Sequence, residues 1–373
     1  MKENNILENL KQDIIIPENV QKKAENAFAQ VREEANAMNS RKKIISFSGI
    51  KNIGFRKRKM AAAVFAAFFC AGAVTVSAAA YHMWSQSLKN ELNVTSEQEK
   101  NLKDSTLSDN PMQTATDAGV TITSVQSIVD NRYAYLAFDV DGYDFSTDEE
   151  FAFESVNATI NGKAANIYGA GFKGSEYYMV ISLSEKADSI IGKEVCVQLS
   201  NLEAGEKADA KTTVDGNWEL TWMLQGSEDM KAYNFSETLG DSGATLTKAE
   251  ISPISLAVTY TMPRTTTLET YTDKVYSEEN PNGTVETHTE EVYVDPPMLV
   301  GVRMKDGSLY TDLLNGGLTG YIDDTSDTYV TSMAMNRILD VDEVDALLFL
   351  KDKSVVDSEQ ELTENNLYIV PVQ

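Results

Sequence analysis

Residues 119–140 read GVTITSVQSIVDNRYAYLAFDV. Leu136, Phe138 and Val140 alternate with small or polar residues, the period of two that a strand shows when one of its faces is buried. The order is a short strand, a turn, then an alternating strand. It recurs 124 residues later, where Gly243 begins GATLTKAEISPISLAVTY. A supersecondary unit repeated at that distance predicts two stacked β-domains.

The same period continues on either side. Tyr177, Met179, Ile181 and Leu183 alternate, as do Val195, Val197 and Leu199, and then Trp218, Leu220, Trp222 and Leu224. Asn161-Gly162 supplies a two-residue hairpin turn, and the strand spacing suits a sandwich. In the second half Val300, Val302 and Met304 lead through Asp306-Gly307 to Leu309 and Tyr310, a second predicted hairpin. Residues 265–295 are rich in Thr, Glu and Tyr with no core pattern, which predicts a long exposed hairpin or loop.

Upstream the pattern changes. Residues 60–80 read MAAAVFAAFFCAGAVTVSAAA, an uncharged run of 21 residues and enough helix to cross a bilayer core. Residues 41–59 carry eight Lys and Arg and no acid, so the positive-inside bias places the N-terminus in the cytosol and the larger part outside. Tyr81 and Trp84 suit the outer interface of such a span. A buried core helix is the blander alternative. A cleaved signal peptide is the sharper one, since Ala78, Ala79 and Ala80 offer a processing site, but 59 residues ahead of the run are too many for it. Ala63, Ala67 and Ala71 recur every four residues and permit a homodimer through the span.

The charge divides at the same place. Residues 1–59 hold 13 Lys and Arg against 7 Asp and Glu, whereas the rest holds 19 against 50. So acidic a surface repels phosphate backbones, and no nucleic-acid partner is expected. Cys70 lies inside the apolar run and Cys196 in a predicted strand, so the two cysteines provide no disulfide framework.

Within the basic end, Pro17 opens an amphipathic helix. Val20, Ala24, Ala27, Phe28, Val31, Ala35 and Met38 form one apolar stripe. Fewer than 60 residues build little core of their own, so this stripe needs a partner, and a cytosolic protein is the natural candidate. Ile6, Leu7 and Leu10 offer a shorter helix that could cover it instead. The segment has no His or Cys and therefore no zinc staple.

Candidate chemistry is sparse. The two histidines, His82 and His288, stand apart, and there is no HExxH, no GxxxxGK[ST] and no GxGxxG. Asp139, Asp141, Asp144, Asp148 and Glu149 in DVDGYDFSTDEE could gather around calcium, but the glycine comes too early for an EF-hand loop, and a solvated acidic turn is the reading. No catalytic, cofactor or metal site is expected, and the chain is not expected to be an enzyme.

The order of basic block, Ala-rich span, AAAYHMWSQSLKNELNVTSEQEKNLKD and GVTITSVQSIVDNRYAYLAFDVDG resembles domain-of-unknown-function family 4179 of Gram-positive bacteria. The stretch from about Asn234 through LTKAEISPISLAVTY to ILDVDEVDALLFL resembles the immunoglobulin-like family 5643 that often follows it. The resemblance implies a membrane-bound anti-sigma factor, with an extracytoplasmic-function sigma factor held on the face of Val20, Ala24, Phe28 and Val31, and with an external ligand. The expected fold is mainly β: a short N-terminal α-helical segment (1–59), one transmembrane helix (60–80), a stalk (81–112) and two extracellular immunoglobulin-like β-sandwich domains (113–226 and 227–373). In the stalk, Ser96 and Glu99 have the spacing of a capping box. The alternative is a membrane-anchored extracellular binding or cell-wall-associated protein with no sigma-factor partner.

Overall fold

The computed structural model describes residues 84–96, 98, 106–145, 150–183, 189–205, 211–275, 284–352 and 362–372. The expected cytosolic helix and the span over 60–80 lie outside them. No helix among the described residues is long and apolar enough to cross a membrane.

The described chain is mainly β. Its first β-region is a nine-stranded sheet with the order β1 (Ser108–Asp109), β3 (Val120–Val129), β4 (Tyr133–Asp141), β7 (Glu176–Leu183), β6 (Lys163–Lys173), β5 (Phe151–Ile160), β8 (Glu194–Ala204), β9 (Lys211–Met223), while β2 (Thr114–Asp117) also pairs with β3. β5 and β6 pair only beside their turn, at Thr159 with Ala164 and Ile160 with Lys163, so the sheet bends there and its two halves face each other. Asn161 and Gly162 have φ of 52° and 76°, the paired positive values a two-residue hairpin turn needs. Inward residues from both halves meet across the core: Phe138 lies 6.1 Å from Trp222 and Phe153 lies 5.0 Å from Tyr177, ring centre to ring centre. The Trp218 indole N–H donates to the Val120 carbonyl at 3.0 Å, which ties the last strand to the third.

The second region has a five-stranded sheet, β10 (Lys231–Thr238), β11 (Thr245–Ile251), β12 (Ser255–Thr261), β18 (Thr328–Met335) and β17 (Leu314–Tyr321). A four-stranded sheet, β16 (Leu309–Tyr310), β15 (Leu299–Met304), β19 (Val344–Leu350) and β20 (Leu367–Pro371), shares its core through Leu246, Val258, Tyr260, Val302, Leu347 and Phe349. The hairpin expected through Asp306-Gly307 is present, with Val302 opposite Tyr310. Residues 265–295 contain a separate ribbon, β13 (Thr266–Val275) with β14 (Thr284–Tyr293), which among the described residues pairs with neither sheet.

The recurrence legible in the sequence is real at the level of structure. β3 and β4 form an antiparallel pair with a bulge between Ser124 and Gln126, and β11 and β12 form one with a bulge between Leu246 and Lys248. Their connecting turns match. Asp130 N–H donates to Tyr133 O at 3.1 Å and Ser252 N–H to Ser255 O at 2.9 Å. In each, the first side chain bonds the turn's own amides: the Asp130 carboxylate accepts from Arg132 N and Tyr133 N, and Ser252 Oγ accepts from Ile254 N and Ser255 N.

Residues 81–112, expected as a stalk, do not stand apart from the β-structure in their described part. Ser108 and Asp109 pair with β3, and a short helix, α1 (Gln86–Glu91), packs between the two β-regions. Trp84, expected at a membrane interface, is only 5% exposed and sits in that packing. Of the capping box expected at Ser96 and Glu99, Glu99 lies outside the described residues; Thr95 and Gln98 bond reciprocally, Thr95 N–H donating to Gln98 Oε1 at 3.0 Å and Gln98 N–H to Thr95 Oγ1 at 3.2 Å. The apolar side chains of the segment have a core to enter, and a solvated stalk would leave Trp84, Leu88 and Leu92 in water.

Candidate functional site

The place where the most distant parts of the described chain converge is the junction of the two β-regions with α1. Ser85 caps the helix, its Oγ accepting from Leu88 N at 3.2 Å. The opposite sign of charge then arrives from β7: the Glu176 carboxylate accepts from Ser85 Oγ at 2.6 Å, Ser87 N at 2.9 Å and Gln86 N at 3.2 Å. A carboxylate at a helix N-terminus satisfies amides that have no intrahelical acceptor. Gln126 Oε1 on β3 takes the Ser85 amide at 3.0 Å.

Glu176 is itself placed directly opposite Asp139 across β4 and β7. Burial pushes the Asp139 carboxyl above its ordinary value, and the nearby Asp141 and Glu176 charges push it further. The amides of α1 therefore supply positive partial charge where two strands bring carboxylates together.

The other end of the helical segment belongs to the second β-region. Asn93 Nδ2 donates to Asn336 O at 3.0 Å, Gln98 Nε2 to Ile338 O at 2.8 Å, and Asn315 Nδ2 to the Glu91 carboxylate. Between these polar ends lies a dry cluster. Trp84, Leu88, Leu92, Val94 and Leu107 pack with Ile128, Tyr133, Tyr135, Ala137 and Val180 of the first region and Ile254, Ala334 and Ile338 of the second. Fully burying a Leu-sized side chain contributes about 2 kcal/mol, so Leu88 and Leu92, both at 0% exposure, hold the segment more firmly than its surface bonds do.

The two regions also bond directly. Tyr133 donates its hydroxyl to Ser332 O at 2.6 Å and Tyr135 donates to Met335 O at 2.5 Å. Burial raises both phenols well above their ordinary values, so they stay neutral donors. The two equivalent turns touch as well. Asp130, 1% exposed, receives Ser252 Oγ and Ser255 Oγ on the oxygen that its own turn leaves free. One buried carboxylate thus accepts four bonds, two from each repeat. Arg132 and Glu250 close the rim with an ion pair.

Close backbone approach makes two glycines necessary here. A Cβ on Gly226, in the connection between the regions, would sit 2.3 Å from the Val129 carbonyl oxygen. Gly316 has φ of +75° and would place a Cβ 3.1 Å from Tyr168 Cβ of the first region.

The sequence-predicted partner face, Val20, Ala24, Ala27, Phe28, Val31 and Ala35, lies outside the described residues. Among the described residues no group of three or more His, Cys, Asp or Glu is placed to hold a metal ion. The junction itself escaped the sequence reading. Its one legible signal was the apolar spacing of Trp84, Leu88 and Leu92, at i, i+4 and i+8, in a segment otherwise polar enough to read as a stalk. What the arrangement can do is mechanical: it fixes the residues that follow the apolar run against two β-regions at once.

No protein-family model matches the chain, and no curated protein matches it. A solved structure, the crystal structure of the conserved domain protein from Bacillus anthracis, is similar over 65% of this chain and 76% of that one, with 14% identity and a TM-score of 0.36.

Proposed function

We propose that the chain is a single-pass membrane regulator of the anti-sigma-factor type, with two immunoglobulin-like β-sandwich domains outside the cell and a cytosolic helix that sequesters an extracytoplasmic-function sigma factor. The observation that carries this reading is the seating of residues 84–94. They follow the apolar run, and they are bonded to Gln126 and Glu176 on one side and to Asn315 and Asn336 on the other. An event that separates or re-seats the β-regions acts first on the segment leading into the span, which is what a transmitted signal requires. A tether that only holds external domains at a surface has no use for such seating. The apolar stripe of Val20, Ala24, Phe28 and Val31 gives the inner end a surface to hold its partner.

The test is purification of the full chain from membranes, beside the Phe28→Asp/Val31→Asp double variant. A sigma factor recovered with the first and lost from the second supports the reading and locates the face. Recovery with neither rejects it in favour of an anchored extracellular binding protein. Leu88→Asp, which puts a charge into the junction, is expected to weaken sigma-factor retention although it lies on the opposite side of the span from the partner face.

A further inference from the structure

The β13–β14 ribbon is the part of the described chain whose surface its own fold explains least. Its ten cross-strand pairs run from Thr266 opposite Tyr293 to Val275 opposite Thr284, and among the described residues neither strand pairs with a third. Each strand therefore presents one row of backbone N–H and C=O groups outward, a template for a further strand. A ribbon of two strands is at best marginally stable alone in water. Four of the eight large apolar side chains exposed among the described residues are on it: Leu268, Tyr271, Val285 and Tyr293.

Register sorts these side chains onto two faces. Leu268, Glu291, Tyr293 and Val285 share one with a threonine pair, Thr270 and Thr289, whose hydroxyls lie 3.0 Å apart. The other face carries Tyr271 and His288, stacked at 5.5 Å, beside Glu269 directly opposite Glu290. Like charges in directly opposed positions destabilise a β-pair. No ion pair among the described side chains involves Glu269 or Glu290.

These charges select what can cover the ribbon. A second copy would bring the same carboxylates against these, which long-range repulsion disfavours. A strand whose side chains alternate between basic and apolar meets both faces at once. Beside β13 its cations reach Glu269 and the Tyr271 ring while its apolar residues reach Leu268; beside β14 its cations reach Glu290 and its apolar residues Val285. We propose that the β13–β14 ribbon is a docking edge for an extended polypeptide segment with alternating basic and apolar residues, which adds to it as a third strand. This does not depend on the identity of the cytosolic partner, and its test involves no sigma factor.

The experiment uses the full chain in detergent micelles with three labelled decapeptides, read by fluorescence polarisation: alternating Lys and Val, the same composition in two blocks, and alternating Glu and Val. The alternating Lys-Val peptide is expected to bind about tenfold more tightly than its block isomer, and about tenfold more tightly than to a Glu269→Gln/Glu290→Gln variant of unchanged thermal midpoint. Bound peptide should slow amide hydrogen exchange within 266–275 or 284–293. Equal affinity for the block isomer or for the double variant would mean attraction to the acidic surface at large and overturn the proposal. So would absence of binding, protection confined to other strands, or a peptide-free dimer that the double variant tightens.

Discussion

The junction around α1 and the β13–β14 ribbon are made from the same kinds of residue and behave in opposite ways. Both carry tyrosines, hydroxyl side chains and carboxylates. In the junction Tyr135 and Asp130 are buried, and each has a bond partner supplied from the sequence-distant second region. In the ribbon Tyr271 is 42% exposed and Glu269 faces Glu290, because among the described residues each strand has only the other to pair with. Composition does not separate the two regions. The number of elements converging on a side chain does, since burial needs cover from more than one neighbour.

The contrast can be broken experimentally, most sharply at Asp130. Asp130→Ala strips the acceptor from two amides and two buried hydroxyls and is expected to cost about 4 kcal/mol, measured by denaturant unfolding of the full chain. A loss below about 1 kcal/mol would mean that the turns do not hold the regions together. Next comes Leu88→Ala, which empties a fully buried position in the cluster. The expected loss is about 3 kcal/mol, whereas the same truncation at Leu268 in the ribbon should leave the unfolding midpoint where it was.

Tyr178 sharpens the comparison through pH. Burial, and then the Glu91 carboxylate of α1, push its phenol up to about 12 from an ordinary value near 10. The folded state holds this proton more tightly than the unfolded one, so the associated stability is whole below about 10 and is lost as pH rises towards about 12. Ultraviolet titration should find a late-ionising tyrosine whose midpoint falls in Glu91→Gln. An unchanged midpoint would mean that α1 does not reach Tyr178 in solution. The smallest effect belongs to the ribbon itself: Glu290→Lys turns the like-charged pair with Glu269 into an opposite-charged one and should slow ribbon amide exchange about twofold. Junction amides should not respond.

Much of the β-structure was legible because alternation and turn chemistry are local. The repeat starting at Gly119 and Gly243, the Asn161-Gly162 and Asp306-Gly307 hairpins, and the exposed character of 265–295 all follow from side-chain period and backbone preference within a few residues. The stalk reading failed for the complementary reason. Trp84, Leu88 and Leu92 are three apolar residues in a polar stretch, and nothing within ten residues says what covers them.

The sequence by itself therefore determined a mainly β chain, its strands and its turns, because those depend on which face of a strand is apolar and which residues tolerate positive φ. Only the tertiary structure decided that the two matching turns meet on Asp130 and that Glu176 takes the N-terminus of α1. These are contacts between residues 89 to 125 positions apart, and their free energy comes from burial and bond partners that no local window contains.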